Sequence, residues 1–259
     1  MLQTTMDGAI ATVTLDRPEV RNAFNDELIT QLTRAFADLG ARDDVRCIVL
    51  AAHGAAFCAG ADLNWMKRMA DYTREENLAD AGALATMLRT IYECPKPTIA
   101  QVQGDVYAGG MGLVACCDIA VALDTAHFCL SEVKLGLIPA TISPYVIRAM
   151  GARIAHRYFL TAERFDAVEA RRIGLVHDVV HTGALQQHVA AIAQALVGAG
   201  PEAVKACKRL VHDVAGCAIT PELVQRTVAG IADCRAGAEG REGVQSFLQK
   251  RKPGWLLPD

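Results

Sequence analysis

The chain has 259 residues, of which 52% are apolar, and its formal net charge is −3. This is enough for one large domain with a sizeable core, and the charge argues against nucleic acid as the main partner. No run of about 18 apolar residues occurs, so we expect no membrane-spanning helix. The first residues lack a basic segment followed by an apolar one, so we expect no secretory signal and a cytoplasmic protein.

Cysteine and histidine usage gives no sign of a structural metal or of disulfides. The nine cysteines form no C-x-x-C pair, and four of them lie in apolar runs, which is typical of buried thiols in a reducing compartment. His177 and His181 flank a predicted strand, in which four residues span roughly 13 Å, too far to share one ion. We therefore predict no metal site.

The first part of the chain alternates between predicted strands and helices. Apolar runs at residues 9–15, 45–52 and 98–102 are typical of buried strands. Between them, Asn25 can cap a helix that ends near Gly40, and two further helices follow the loop of residues 53–63, the second covering residues 78–92. This alternation predicts an α/β fold with largely parallel strand pairing.

The second part becomes helical. A strand is predicted at residues 119–123, and short helices with one more strand lie between residues 144 and 180. Helical spacing then continues in four segments, at residues 184–197, 202–214, 220–234 and 240–250. We place a domain boundary near residue 200, with a core of residues 1–200 and a helical region of residues 201–259.

Residues 103–132 carry the strongest functional signal. Gly104, Gly109, Gly110 and Gly112 precede a short apolar helix, predicted at residues 113–117, and the stretch closes on Glu132, a lone acid among apolar residues. The first N–H groups of a helix lack intrahelical partners and favour negative charge. We predict that this stretch binds an oxygen that becomes negative during a reaction, while Glu132 moves a proton beside it.

A second loop of small residues, 57–63, also follows a buried strand. Two loops at the same end of adjacent strands can direct two N–H groups to one oxygen, which is an oxyanion hole, although each loop alone is also explained by a simple turn. Neither loop fits the P-loop or the dinucleotide fingerprint, and no G-x-S-x-G elbow occurs. Phosphate, NAD and serine-hydrolase functions are therefore disfavoured.

Four segments together resemble the crotonase, or enoyl-CoA hydratase/isomerase, superfamily: FCAGADL, VQGDVYAGGMGLVACCDIAVA, SEVKLGLIP and REGVQSFLQKRKPGW. They occur in the family's order, and the resemblance runs from about residue 9 to residue 255. It implies a crotonase-like spiral of ββα units with a helical C-terminal part that forms homotrimers or dimers of trimers. It also implies an acyl-CoA thioester substrate, with no bound cofactor apart from the coenzyme A that the substrate carries.

The resemblance assigns roles to individual residues. The N–H groups of Ala61 and Gly109 would hold the thioester carbonyl, and Glu132 would be the catalytic carboxylate. Phe247 and Lys250 would reach the CoA of a neighbouring subunit, although a solvated surface lysine explains Lys250 equally well. The residues expected to bind the CoA ester are Glu19, Val20, Arg21, Ala23, Ala59, Gly60, Asp62, Leu63, Tyr107, Gly110, Gly112, Pro139, Phe247 and Lys250. Among them, Asp62 is expected mainly to cap or order its loop, and Tyr107 to line the acyl pocket.

Gly112 departs from the family's pattern, because hydratases of the family usually carry a second glutamate at this position. With two acids, one can activate the water while the other delivers a proton. Three interpretations stay open with Glu132 alone: it serves both steps, the substrate brings its own carboxylate into the space that Gly112 leaves, or the reaction is an enoyl-CoA isomerisation by one glutamate. A non-catalytic homologue that only binds CoA esters is a further alternative.

The finer pattern favours a substrate that carries a carboxylate. ADLNWMKRM, Gly112 and SEVKLGLIPATISP resemble bacterial hydratases of branched glutaconyl-CoA esters, which act in leucine and acyclic-terpenoid catabolism. We therefore favour hydration of a glutaconyl-type thioester. Lys67 and Arg68 are the candidate cations for its distal carboxylate, although a solvated helix face also explains them.

Overall fold

The structure, a computed structural model, describes residues 1–256. Within this range the strands are β1 (Leu2–Asp7), β2 (Ile10–Leu15), β3 (Cys47–Ala52), β4 (Ala56–Cys58), β5 (Thr98–Val102), β6 (Asp105–Tyr107), β7 (Ile119–Leu123), β8 (His127–Cys129), β9 (Phe165–Asp166) and β10 (Asp178–Val180). The α-helices are α1 (Asp26–Ala41), α2 (Leu63–Met69), α3 (Arg74–Tyr92), α4 (Gly109–Cys116), α5 (Ser143–Met150), α6 (Ala152–Thr161), α7 (Ala167–Arg172), α8 (Leu185–Gly198), α9 (Pro201–Val214), α10 (Pro221–Ala236) and α11 (Ala238–Leu248).

The strands form two sheets. One has the order β1-β2-β3-β5-β7-β10 and the other the order β4-β6-β8-β9. Pairing is parallel except for β1 with β2 and β8 with β9. The successive pairs β3–β4, β5–β6 and β7–β8 each place one strand in each sheet before the chain turns into helix. This is a spiral of ββα units, so the predicted α/β class is confirmed.

The larger sheet is covered on both faces, which explains its continuous apolar strands. On one side, α1 and α3 contribute buried residues such as Phe36 and Leu88 to the main core. On the other side, Leu185 and Val189 of α8 pack against Ile99 and Val121. Strands β3, β5 and β7 are therefore fixed from both sides, and each of them leads directly into a strand of the smaller sheet.

Prediction failed mainly where elements are short or begin early. The three-residue strands β4 and β6 lie within segments that we predicted as loops, and β1 is a mostly exposed edge strand. Helix α3 begins at Arg74 rather than residue 78, because Thr73 and Glu76 form a capping box. Helix α4 begins at Gly109 rather than residue 113, so the glycines are its first turn.

The C-terminal helices differ from the core in how few of their residues are buried. Helix α9 begins at Pro201, next to the predicted boundary, and is tied to the sheet by Lys208, whose Nζ lies 2.7 Å from Oδ2 of Asp118. In α9, α10 and α11 only Leu223 and Ser246 are buried. The division into two domains stays a prediction. None of the helices within residues 1–256 combines the length and apolar character needed to cross a bilayer.

Candidate active site

Three neighbouring parallel strands bring the predicted catalytic residues to one edge of the smaller sheet. β4 pairs with β6, and β6 pairs with β8, both in parallel. The carboxyl ends of parallel strands lie at the same edge, and Ala61, Gly109 and Glu132 follow the ends of β4, β6 and β8 within three residues. The sheet topology therefore gathers residues that are far apart in the sequence.

The first donor loop, residues 58–63, is bridged to Phe24. The N–H of Phe24 donates to the Gly60 carbonyl, and the N–H of Asp62 donates to the Phe24 carbonyl, both at 2.7 Å. Successive peptide groups of an extended segment alternate in direction, so the N–H of Ala61 faces away from Phe24. Within residues 1–256 this N–H donates no hydrogen bond.

Asp62 orders the first donor loop. Its Oδ1 accepts the N–H groups of Asn64 and Trp65, which caps α2, and its Oδ2 lies 3.0 Å from Nη2 of Arg17. Burial acts to raise the pKa of Asp62, but these donors outweigh it and the pKa falls below its usual value. The carboxylate is buried and fully engaged, so the capping expectation is confirmed, while binding of the CoA ester by this stretch of the loop stays a prediction.

Asn22 is an anchor that sequence reasoning missed. This buried residue donates from Nδ2 to the carbonyls of His53 and Ala56, both at 2.8 Å, and its Oδ1 accepts the N–H of Arg17 at 2.8 Å. It thereby clamps residues 17–24 onto the segment that leads into the first donor loop. A single asparagine within a loop gives no sequence signal for such a role.

The second donor loop, residues 107–110, is held by its backbone. Ala108 has φ 47° and ψ −122°, a conformation that costs a non-glycine residue about 1–3 kcal/mol. Its N–H donates to the Cys129 carbonyl at 2.8 Å, which fixes the loop to β8. Helix α4 then starts, and within the described chain the N–H of Gly109 donates no hydrogen bond.

The two donor loops are in direct contact. A Cβ added to Gly60 would lie 3.0 Å from Cβ of Ala108, and one added to Gly110 would lie 2.8 Å from the carbonyl oxygen of Cys58. A Cβ on Gly109 would lie 2.8 Å from Cε2 of Phe24. Side chains at these positions would force the loops apart. That the N–H groups of Ala61 and Gly109 share one oxygen stays a prediction that this packing supports.

Glu132 begins a single turn of 3-10 helix, at Glu132–Leu135, and is half-buried. Its Oε2 is buried and has no hydrogen-bond partner within residues 1–256. Burial raises the pKa of this carboxyl above its usual value. A buried carboxylate oxygen without a partner is rare in a folded protein and is expected where an acid must exchange a proton with a ligand.

The space beside Gly112 is not free, which corrects one expectation. A Cβ at this buried position would overlap Cγ2 of Ile142 and would lie 2.9 Å from Cβ of Ile142. Leu88 closes the other side, with its Cδ2 at 3.2 Å. The interpretation in which a substrate carboxylate fills the space that Gly112 leaves is therefore wrong, because Ile142 already occupies it.

The remaining predicted residues differ widely in exposure. Arg68 is paired with Asp26 at 2.7 Å, whereas Lys67 is exposed and forms no ion pair within the described chain. Burial raises the pKa of Tyr107. The exposed residues are Glu19, Arg21, Leu63, Phe247 and Lys250. The partly buried ones are Val20, Ala59, Ala61, Tyr107 and Gly109, and the buried ones are Ala23, Gly60, Gly110 and Pro139. Binding of the CoA ester at these positions, including the buried Ala23 and Pro139, stays a prediction. Among residues 1–256 no three His, Cys, Asp or Glu side chains are grouped as metal ligands.

Known proteins resemble this chain over nearly its whole length. The family model described as "Enoyl-CoA hydratase/isomerase" matches residues 5–256. The chain is 36% identical over 240 residues to "Enoyl-CoA hydratase ACTT6" of Alternaria alternata, covering 91% of this chain and 77% of that protein. An enoyl-CoA hydratase structure from Shewanella pealeana superposes with a TM-score of 0.95 at 42% identity, covering 98% of this chain and 95% of the other. The Pseudomonas aeruginosa protein AtuE has a TM-score of 0.94 at 34% identity, covering 99% of both chains.

Proposed function

The chain belongs to the enoyl-CoA hydratase/isomerase family, and from this premise we propose that it adds water across the 2,3 double bond of an enoyl-CoA thioester. The buried, unpartnered Oε2 of Glu132 at the edge that carries both donor loops is the observation behind this proposal. The N–H groups of Ala61 and Gly109 would bind the thioester carbonyl oxygen. Charge that develops there would be stabilised by about 3–4 kcal/mol for each donor.

One carboxylate completes the proton balance of hydration. Glu132 takes a proton from water as the oxygen bonds to Cβ, and the electron pair of the double bond moves towards the thioester carbonyl. The protonated Glu132 then delivers that proton to Cα, and the carboxylate is restored. The raised pKa of Glu132 suits this cycle, because it brings the protonated and ionised forms closer in free energy near neutral pH.

Isomerisation is the second candidate, and the lack of an acid at Gly112 favours it. A single glutamate can remove a proton from one carbon and return it to another. Incubating the protein with a panel of enoyl-CoA thioesters and analysing the products by mass spectrometry separates the two reactions. Hydration adds the mass of water, whereas isomerisation leaves the mass unchanged. Binding of the esters with no product would identify a non-catalytic CoA-ester-binding protein.

For the acyl group we propose a branched glutaconyl-type ester, supported by the resemblance of residues 61–69 and 131–144 to hydratases of such esters. Since Ile142 fills the space beside Gly112, the distal carboxylate must find a cation elsewhere. Lys67 is the candidate, because it is exposed and unpaired within the described chain, whereas Arg68 is paired with Asp26. Lys67→Ala should raise KM for glutaconyl-CoA and leave KM for crotonyl-CoA unchanged; equal effects on both would contradict this assignment.

We also propose that residues 201–259 assemble the chain into a trimer or a dimer of trimers. The exposed apolar side chains of α9, α10 and α11 support this, since such surfaces mark interfaces; they include Leu210, Val211, Val224, Val228, Ile231, Val244 and Leu248. Phe247 is 82% exposed, and with Lys250 it would contact the CoA of a neighbouring subunit. Sedimentation analysis tests the assembly, and a monomer at micromolar concentration would contradict it.

A further inference from the structure

Ile142 fills the volume beside Gly112 on the face of α4 that starts at Gly109. Residues three apart on a helix share a face, so a side chain at position 112 would project on the side of the donor peptide. Ile142 and Leu88 are 1% and 0% exposed and occupy that volume from two sides. The polar end of α4 therefore borders an aliphatic wall.

The position of Ile142 is fixed. Its carbonyl accepts the N–H groups of Tyr145 and Val146, both at 3.1 Å, at the start of α5. A β-branched side chain has few rotamers, so it cannot swing aside cheaply, and the interior around it is close-packed. The small residue at position 112 and the large residue at position 142 thus form one steric unit, held between α3, α4 and α5.

We propose that Ile142 determines the specificity of this site, because it leaves room at the reaction centre for only one acid, Glu132. It closes the α4 side of the reaction centre to any other polar group, from the protein or from the substrate, so that both proton transfers fall to Glu132. The inference rests on the proposed hydration. The matching substrates are enoyl-CoA thioesters that are apolar where they meet this wall, with any distal charge placed elsewhere.

The steric part of the proposal is tested by stability alone, in full-length protein. Alanine normally stabilises a helix relative to glycine, so a harmful Gly112→Ala would point to steric contact, most closely with Ile142 and less closely with Leu88. We expect Gly112→Ala to lower Tm in the wild-type background and to raise it in the Ile142→Gly background. A Tm change of the same sign in both backgrounds would overturn the proposal. These small substitutions test it even where larger side chains at position 112 prevent folding.

The chemical part compares two double variants that differ only in charge. Gly112→Glu/Ile142→Gly and Gly112→Gln/Ile142→Gly place side chains of the same shape in the vacated volume. With crotonyl-CoA, the glutamate variant should have at least about a tenfold higher kcat/KM than the glutamine variant, since a positioned acid typically contributes 100-fold or more. The glutamate variant should also show a second ionisation in its pH–rate profile.

The possible failures are distinguishable. Folded double variants with equal kcat/KM, beside an active wild type, would mean that a group at position 112 does not reach the reacting atoms, and the role of Ile142 would be overturned. A wild type that hydrates none of the enoyl-CoA esters would instead overturn the proposed function. In that case the sign of the Tm change in the Gly112→Ala pair still decides whether Ile142 closes this space.

Discussion

The two donor loops are held in place by different kinds of interaction. The first loop, residues 58–63, is fastened by polar side chains, because Asp62 binds Arg17 and Asn22 binds two carbonyls on the approach to the loop. The second loop, residues 107–110, is fastened by its backbone, through the positive φ of Ala108, the bond from the Ala108 N–H to the Cys129 carbonyl, and the close approach of Gly110 to Cys58. Polar anchors are worth a few kcal/mol and leave the backbone some freedom, whereas contact between backbones allows almost none. We therefore expect damage to the first loop to reduce stability and damage to the second to reduce turnover.

Glu132→Gln should have the largest effect on turnover. It removes the acid and leaves both donor loops unchanged, so it separates their contributions. We expect kcat to fall at least about 100-fold, because a positioned acid or base typically contributes 100- to 10,000-fold. The dissociation constant of a saturated acyl-CoA should change little, since both donor loops remain. Glu75→Gln, an exposed change in the first turn of α3, is the control and should be neutral. Near-normal turnover of Glu132→Gln would remove Glu132 from the chemistry.

The same variant has an expected dependence of stability on pH. Burial raises the pKa of Glu132, so the folded chain holds this proton more tightly than the unfolded chain. The folded state therefore loses stability as the pH rises from the usual carboxyl pKa through the raised value. Glutamine carries no such penalty, so the Tm of Glu132→Gln should equal or exceed that of wild type at neutral pH. The difference should shrink in acid, and a difference that grows in acid would contradict the burial argument.

Gly110→Ala tests the close contact between the loops and should have the second-largest effect. The new Cβ would lie 2.8 Å from the carbonyl oxygen of Cys58, so α4 must move away from the first loop. Displacement of one oxyanion donor typically costs about 100-fold in kcat. Gly82→Ala, in the open middle of α3, is the control and should raise Tm with unchanged kcat. Unchanged kcat in Gly110→Ala would show that the contact does not position the donor.

The difference between the loops also explains which features could be predicted from the sequence: polar caps and periodic apolar runs could, whereas close packing could not. The buried strands β3, β5 and β7 and the capped helices have strong periodic or polar signals, and they were predicted within a few residues. Asp62 was recognised as a cap for the same reason. Ile142, Leu88 and Ala108 were missed, because a filled volume or a positive φ depends on three-dimensional packing that no local pattern encodes. The start of α4 at Gly109 was missed because glycine is a poor helix former that only tertiary contact can place there.

Asn22→Ala tests the polar anchoring of the first loop. It would remove the donor to the His53 carbonyl and the acceptor of the Arg17 N–H, leave the Ala56 carbonyl with only its bond from Gln103, and place alanine at φ 55°. We expect the free energy of unfolding to fall by about 3 kcal/mol, while kcat of the folded enzyme changes less than about threefold. Asn25→Ala, which removes the single capping bond to Leu28, is the control and should cost about 1 kcal/mol. A large loss of kcat with intact stability would contradict the division of roles between the loops.

Ala108→Gly should have the smallest effect, and its sign separates strain from packing. Relief of the strained backbone should stabilise by about 1–3 kcal/mol, whereas the added freedom of glycine in the unfolded chain costs about 0.5–1 kcal/mol. We expect a net stabilisation of about 1 kcal/mol in urea unfolding, together with a kcat about two- to threefold lower, because a relaxed residue 108 holds the Gly109 peptide less firmly.

A second alanine with positive φ provides the control for this last change. Ala162 has φ 48° and ψ 34° at the end of α6, outside both donor loops, and its carbonyl accepts a hydrogen bond from Sγ of Cys129 that the change to glycine leaves in place. The left-handed helical region costs alanine only about 1–2 kcal/mol, so Ala162→Gly should change stability little and leave kcat unaltered. If Ala108→Gly destabilises the protein, or leaves kcat as unchanged as Ala162→Gly does, then the conformation of residue 108 is not what holds the second donor in place, and the two loops are less different than their contacts indicate.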